Sequence, residues 1–194
     1  MSITREAELI GMQKASEAVA YTLKEMRAYA QPGMTTKQLD NYGAAILSDL
    51  GANSAPYLTY GFPGYTCISV NNEFCHGIPT DKLILKEGDL INIDVSAELN
   101  GFWSDNGGSF VLGEDINGHQ QLVDASKEIL HKAINQIKGG VRIADIGHLI
   151  DSERGNGVRP IVHDHLRLIP AADMRSRGCG ATLAAEPDLD PMDP

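Results

Sequence analysis

An α+β chain, with helices packed on an antiparallel sheet, is the fold class this sequence predicts. Three observations carry it. Apolar residues recur at three-to-four spacing through the first thirty residues and again beyond Gln120, the period of an amphipathic helix. Between those stretches Leu90 to Val95 alternates strictly, with Ile91, Ile93 and Val95 on one side and Asn92 and Asp94 on the other. The alternating run leads to Asn100-Gly101, the dipeptide best suited to a type I′ hairpin turn, which needs positive φ at both central positions.

The elements follow in order. Leu9, Ile10, Met12, Ala15, Val19, Ala20, Leu23 and Met26 predict a helix from residue 3 to about 30, which Pro32-Gly33 ends. Thr35 or Thr36 can cap a second helix through about Leu50. Tyr57 to Ser69, rich in Gly, Pro and aromatics, reads as a loop feeding a short strand, Thr66 to Val70. A hairpin then runs from Leu90 to Leu112. A helix over Gln120–Ile137, a break at Gly139-Gly140 and a short helix over Ile143–Ile150 complete the periodic part.

If Asn100 and Gly101 are the hairpin loop, Leu99 faces Phe102, Glu98 faces Trp103 and Ser96 faces Asp105. Asp94 then shares a face with Asp105, one diagonal step away, where Cα atoms lie about 7–8 Å apart. Two carboxylates so placed repel unless a cation lies between them. Asp94 also interrupts an apolar strand, where an unpaired charge is expensive. The pair therefore points to metal, and two divalent ions about 3.5–4 Å apart form a hydrolytic centre.

The bulk numbers exclude several classes. A chain of 194 residues, 42% hydrophobic and 22% charged, can bury one sizeable core. A net charge of −10 argues against nucleic acid or an anionic membrane as the main partner. No apolar run approaches transmembrane length and the N-terminus carries no basic-then-apolar leader, so a soluble cytoplasmic protein is expected. Cys67, Cys75 and Cys179 are odd in number and lack CxxC spacing, which favours neither a disulfide framework nor structural zinc. Cys75-His76 does not make a thiol–imidazole dyad, because adjacent residues of an extended segment point to opposite faces. Glu114-Asp115 and Asp188-Asp190 read as solvated acids, and His119, His131 and His148 as surface imidazoles.

CISVNNEFCHGIP (Cys67–Pro79), LKEGDLINIDVS (Leu85–Ser96) and GFWSDNGGSFVLG (Gly101–Gly113), in this order, resemble the bacterial type of methionine aminopeptidase. PGMTTKQLD, ADIGHLI and the long N-terminal helix fit that family too, so the resemblance covers about residues 1–151. It implies a pita-bread (creatinase/aminopeptidase-like) fold with a pseudo-two-fold axis and a site for two divalent ions, Co, Mn, Fe or Zn. It further implies a cytoplasmic, monomeric enzyme, ribosome-associated, that removes the initiator methionine from nascent peptides whose next residue is small. By the resemblance, Asp94 and Asp105 match the first two metal ligands. His76 matches the histidine that contacts substrate and helps stabilise the reacting centre, and Tyr60, Phe62 and Cys67 the lining of the methionine pocket. An apolar pocket suits a thioether.

The family takes a further histidine and two glutamates from its C-terminal half. No GHGIG-like motif occurs here. His163, His165 and Glu186 lie near the expected places but closer together than the family spaces them, and nothing follows for the last glutamate. The second half of the fold is therefore expected to be incomplete. Metal affinity from two aspartates should be weak. The leading expectation is an aminopeptidase, catalytically impaired or truncated. The alternatives are a non-catalytic peptide- or protein-binding module on the same fold, and a related dipeptidase or proline-specific peptidase.

After Asp151 the character changes. Residues 1–151 hold eight lysines and three arginines; residues 152–194 hold five arginines, no lysine and five of the nine prolines. The abrupt switch favours an out-of-frame or joined sequence over a disordered tail. Sequencing the encoding DNA should then show a reading-frame change near codon 151. Limited proteolysis should cut after Arg154, Arg159, Arg167, Arg175 or Arg177 well before the core, and a protease-resistant tail would refute this.

Overall fold

The computed structural model describes residues 3–153. Nine elements follow one another: α1 (Glu6–Tyr29), α2 (Thr36–Asp49), β1 (Asn53–Ser54), α3 (Ala55–Tyr60), β2 (Cys67–Val70), β3 (Leu90–Leu99), β4 (Phe102–Val111), α4 (Gln120–Asn135) and α5 (Ile143–Glu153). The tail, with His163, His165 and Glu186, lies outside the described residues.

β3 is the centre of an antiparallel sheet. β4 pairs with it along its whole length, and β1 and β2 pair with successive stretches of it, at Glu98–Ala97 and Asp94–Ile91. Since β4 occupies one edge of β3 throughout, β1 and β2 lie end to end along the other. Leu99 faces Phe102, Glu98 faces Trp103 and Ser96 faces Asp105, as the two-residue turn requires. Asn100 and Gly101 adopt φ of 53° and 85°, the left-handed pair of the I′ geometry. The Gly101 N–H donates to the Glu98 carboxylate at 2.5 Å, closing the turn from within the strand.

The alternation of β3 decides what is inside. Ile91, Ile93, Val95 and Ala97 are fully buried, as is Ile68 of β2, and Val70 of β2 and Phe110 of β4 are buried with them. α1 and α2 cover this face, adding Val19, Met26, Leu39 and Leu47 to the core. In α1 the buried stripe is Ala15, Ala18, Val19, Thr22 and Met26. Leu9, Ile10 and Met12, which the period predicts on the same face, are more than 40% exposed, because the packed stripe runs back from Ala15 through Gly11, which lies against the Phe102 ring, and leaves them beside it.

Thr35 caps α2 in a capping box with Gln38: its hydroxyl accepts the Gln38 N–H at 3.1 Å, and the Gln38 side chain accepts the Thr35 N–H at 2.9 Å. Part of the segment expected as loop is helical. Ser54 accepts from the Tyr57 N–H, Pro56 sits in the first turn, and Gly61 ends α3 with φ of 66°. β2 starts at Cys67, one residue later than expected, because Thr66 is engaged elsewhere. α4 ends at Asn135 and α5 continues to Glu153, where Lys132 bridges Glu128 and Glu153 at 2.9 and 2.7 Å. Among the described residues no helix is long and apolar enough to cross a membrane.

Ile93 touches both neighbouring strands and has no exposure, so Ile93→Ala leaves a cavity under the sheet. A loss of about 2–5 kcal/mol is expected, read as a lower urea midpoint at unchanged slope.

Candidate metal centre

The face of the sheet opposite the core carries the polar chemistry. Cys67, Asp94 and Gly107 form one row across β2, β3 and β4, and Ser96 and Asp105 form the next row. Asp94 is half-buried and Asp105 is exposed. Ser96 Oγ donates to an Asp105 carboxylate oxygen at 2.7 Å, fixing that side chain toward the strand. Gly107 leaves the space opposite Asp94 open: a Cβ there would come no closer than 3.7 Å to the Asp94 carboxylate.

The two carboxylates sense each other. Burial, a hydrogen bond shared with Asp105 and repulsion by Asp105 push Asp94 up to about 6 from its ordinary 3.8, with His76 pulling the other way. Among the described residues neither aspartate joins any ion pair with a lysine or arginine. An acid pair without a cationic side chain suits a divalent ion held by oxygen. It supplies two groups, however, and no cluster of three or more His, Cys, Asp or Glu capable of holding a metal occurs among the described residues. The chemistry of the pair fits a metal, and the described donor set does not close a site around one.

The other nominated residues gather around this pair. Cys67 is Asp94's direct partner across the sheet, and burial followed by the charges of Asp94, Cys75 and Asp105 pushes its thiol up to about 12. It is a neutral, apolar wall at physiological pH, not a nucleophile. Tyr60 is 68% exposed, and its hydroxyl's pKa is raised by burial and then by the charges of Cys67, Asp94 and Asp105. Its ring meets Phe62 edge to face, centroids 6.3 Å apart, with Phe62 buried beneath.

His76 is exposed and sits in the left-handed region at φ 53°. The next residue explains how it is held. Gly77 donates to Ser69 Oγ at 3.1 Å and accepts from the Ile68 N–H at 3.0 Å, so the segment runs against β2. A Cβ on Gly77 would fall 2.1 Å from the Ile68 carbonyl oxygen, so only glycine fits. The sequence reading did not single out Ser69. Its signal was available, since in CISV it shares the face of Cys67.

This sheet, its helical cover and an acid pair on the open face define an α+β scaffold with a carboxylate site on its sheet, and comparison places it. The profile of metallopeptidase family M24 matches residues 10–166, and the chain belongs to that family. It is 48% identical over 153 residues to methionine aminopeptidase 2 of Bacillus subtilis, covering 79% of this chain and 61% of that protein. A methionine aminopeptidase structure from Thermotoga maritima superposes with a TM-score of 0.75 at 34% identity, covering 79% of this chain and 61% of the other. An Xaa-Pro dipeptidase from Bacillus anthracis, at 17% identity and TM-score 0.68, shares the fold. The pita-bread architecture expected from the sequence is thus the fold of this chain. The chain spans about three fifths of the length of the methionine aminopeptidases it matches.

Because the folded state raises Asp94's pKa, the protonated form favours folding in the absence of metal. That contribution is complete below the ordinary 3.8 and is lost as pH rises through about 6. In EDTA, Asp94→Asn should therefore melt higher than the parent at pH 7.5, and the gap should close by pH 3.5. Equal or lower melting at pH 7.5 would contradict the assignment.

Proposed function

We propose that this chain carries the first part of a metal-dependent exopeptidase site that removes the N-terminal methionine from nascent proteins whose second residue is small. The observation that carries the reading is the unbalanced pair of Asp94 and Asp105 beside the apolar wall of Cys67, Phe62 and Tyr60. In this reading residues 1–151 are the aminopeptidase-like domain and 152–194 a divergent tail.

Asp94 and Asp105 would supply two of the donors for a pair of divalent ions, of Co, Mn, Fe or Zn. Such ions, when bound, would supply Lewis acidity and a water acidic enough to act near neutral pH. The protein's own residues do the rest. Cys67, Phe62 and Tyr60 take the thioether side chain, whose soft, flexible sulfur packs well against aromatic and thiol surfaces. His76, on its constrained turn, hydrogen-bonds the substrate and helps stabilise developing charge. The substrates are peptides emerging from the ribosome in the cytoplasm, met by a monomer. The names of the relatives support the substrate class.

A second reading, a non-catalytic module that grips peptide N-termini, draws on the two-carboxylate donor set among the described residues. Metal content separates them: two ions per chain favours the enzyme, none the module.

The experiment is a Met-Ala-Ser peptide assay with Co²⁺, Mn²⁺ or Fe²⁺, paired with metal-dependent melting. Robust methionine release would show that residues beyond the described part complete the donor set. A weak metal-induced rise in melting temperature is expected, following RT ln(1 + [L]/Kd). Asp105→Ala should abolish it. Asp115→Ala should lower the baseline, because Asp115 accepts the His119 and Gln120 N–H groups at the start of α4, yet keep the metal increment. Equal loss of the increment in both variants would mean ions on an acidic surface and nothing more.

A further inference from the structure

Asp40 is a fully buried carboxylate that the proposed chemistry does not use. One of its oxygens accepts three hydrogen bonds, from the Tyr65 N–H at 2.9 Å, the Thr66 N–H at 2.8 Å and the Thr66 hydroxyl at 3.0 Å. The other oxygen pairs with Lys37 at 2.9 Å, and the Lys37 ammonium lies over the Tyr65 ring. One helical turn earlier, Thr36 is equally buried. Its hydroxyl donates to the Thr80 carbonyl at 3.1 Å and accepts the Thr80 N–H at 2.9 Å, and the Lys37 N–H reaches the same carbonyl at 3.3 Å.

The two contact points bracket the site. Tyr65 and Thr66 are the last residues before Cys67, while Thr80 closes the turn that starts at His76. Residues four apart on a helix share a face, so one side of α2 grips both arms of the loop. We infer that Asp40 and Thr36 are positioning residues: Asp40 sets the place of Cys67 in the pocket wall, and Thr36 sets the place of the His76 turn. This rests on the reading above for what the pocket binds, and not for the geometry.

The chemistry favours positioning over mere packing. A leucine at Asp40 could fill the volume without desolvating a charge. A carboxylate oxygen with three convergent donors instead defines the backbone of Tyr65-Thr66 in direction as well as distance. Those two backbone N–H groups would otherwise be left without partners at the entry to β2. Thr36 acts the same way with a neutral group, as both donor and acceptor to a single residue.

The test compares Asp40→Asn, Thr36→Val and Thr36→Ser in the whole chain. Two local probes are read: the alkylation rate of Cys67, resolved by peptide mass spectrometry, and the imidazole NMR signals of His76. Asp40→Asn keeps an oxygen acceptor but loses the Lys37 pair and the charge behind the three accepted bonds. It should speed Cys67 alkylation about tenfold, the effect of losing one hydrogen bond to a charged group, and leave the His76 signals in place. Thr36→Val should move the His76 signals and leave Cys67 slow, and Thr36→Ser, which keeps the hydroxyl, should restore them. If Asp40→Asn does not fold, Thr66→Val removes a single donor and should give the same response at Cys67, smaller in size. Both probes shifting together in each variant, or neither shifting, would overturn the inference. Methioninol binding to the parent chain, measured alongside, reports on the proposed substrate class alone. Its absence would count against that reading and leave the two probes decisive for positioning.

Discussion

Everything in the described part of the molecule depends on the register between β3 and β4. A β-strand has a side-chain period of two, so slipping the pair by one residue would send Ile91, Ile93 and Val95 outward and bring Asp94 into the core. The burial of the first set and the openness around Asp94 are two faces of one constraint. What sets the register is short: Asn100 and Gly101 in left-handed conformations, with Glu98 capping the turn. Two residues at a hairpin tip thereby decide that Asp105 lies diagonal to Asp94.

This is why so much of the hairpin could be read from the chain. Alternation and the Asn-Gly turn are local signals, and the cross-strand pairs Leu99–Phe102, Glu98–Trp103 and Ser96–Asp105 follow from them by counting. The acid pair was legible for the same reason. Tyr60, Phe62, Cys67 and His76 were not legible from pattern and came through family resemblance. Their gathering depends on β2 meeting β3 and on the Gly77 contact with Ile68, neither of which has a local signature. α3 was hidden because six residues are too few to show a helical period, although Ser54 and Pro56 marked its start. Leu9, Ile10 and Met12 show the opposite failure: apolar residues counted into the helical stripe that fall beside it, where Gly11 makes the contact with Phe102. Thr36 read only as a possible cap and Asp40 drew no notice, since their partners are 25 to 44 positions away.

The open face also shows how stability and chemistry are divided in this fold. Ionised Asp94 is unfavourable where it stands, and the molecule tolerates that because the opposite face of the same strand is packed without exposure. Perturbed carboxylates of this kind cluster at functional sites. The strand is thus asked to do two things at once, and period two allows it: the residues that anchor β3 never compete for space with the residues that carry charge.

The placement of α1 has a consequence for the order in which the chain takes shape. Val19 and Met26 are buried against strands that come some 70 residues later. During synthesis the helix emerges long before β3 and β4 exist, so its apolar stripe has only α2, where Gly43 meets Met26, to lie on. The hairpin, built from neighbours in sequence, closes quickly once made, whereas docking α1 on it must wait for a long loop to be spanned. Until then the nascent chain presents a half-formed, sticky helix, and the rate of elongation through residue 111 sets how long that exposure lasts.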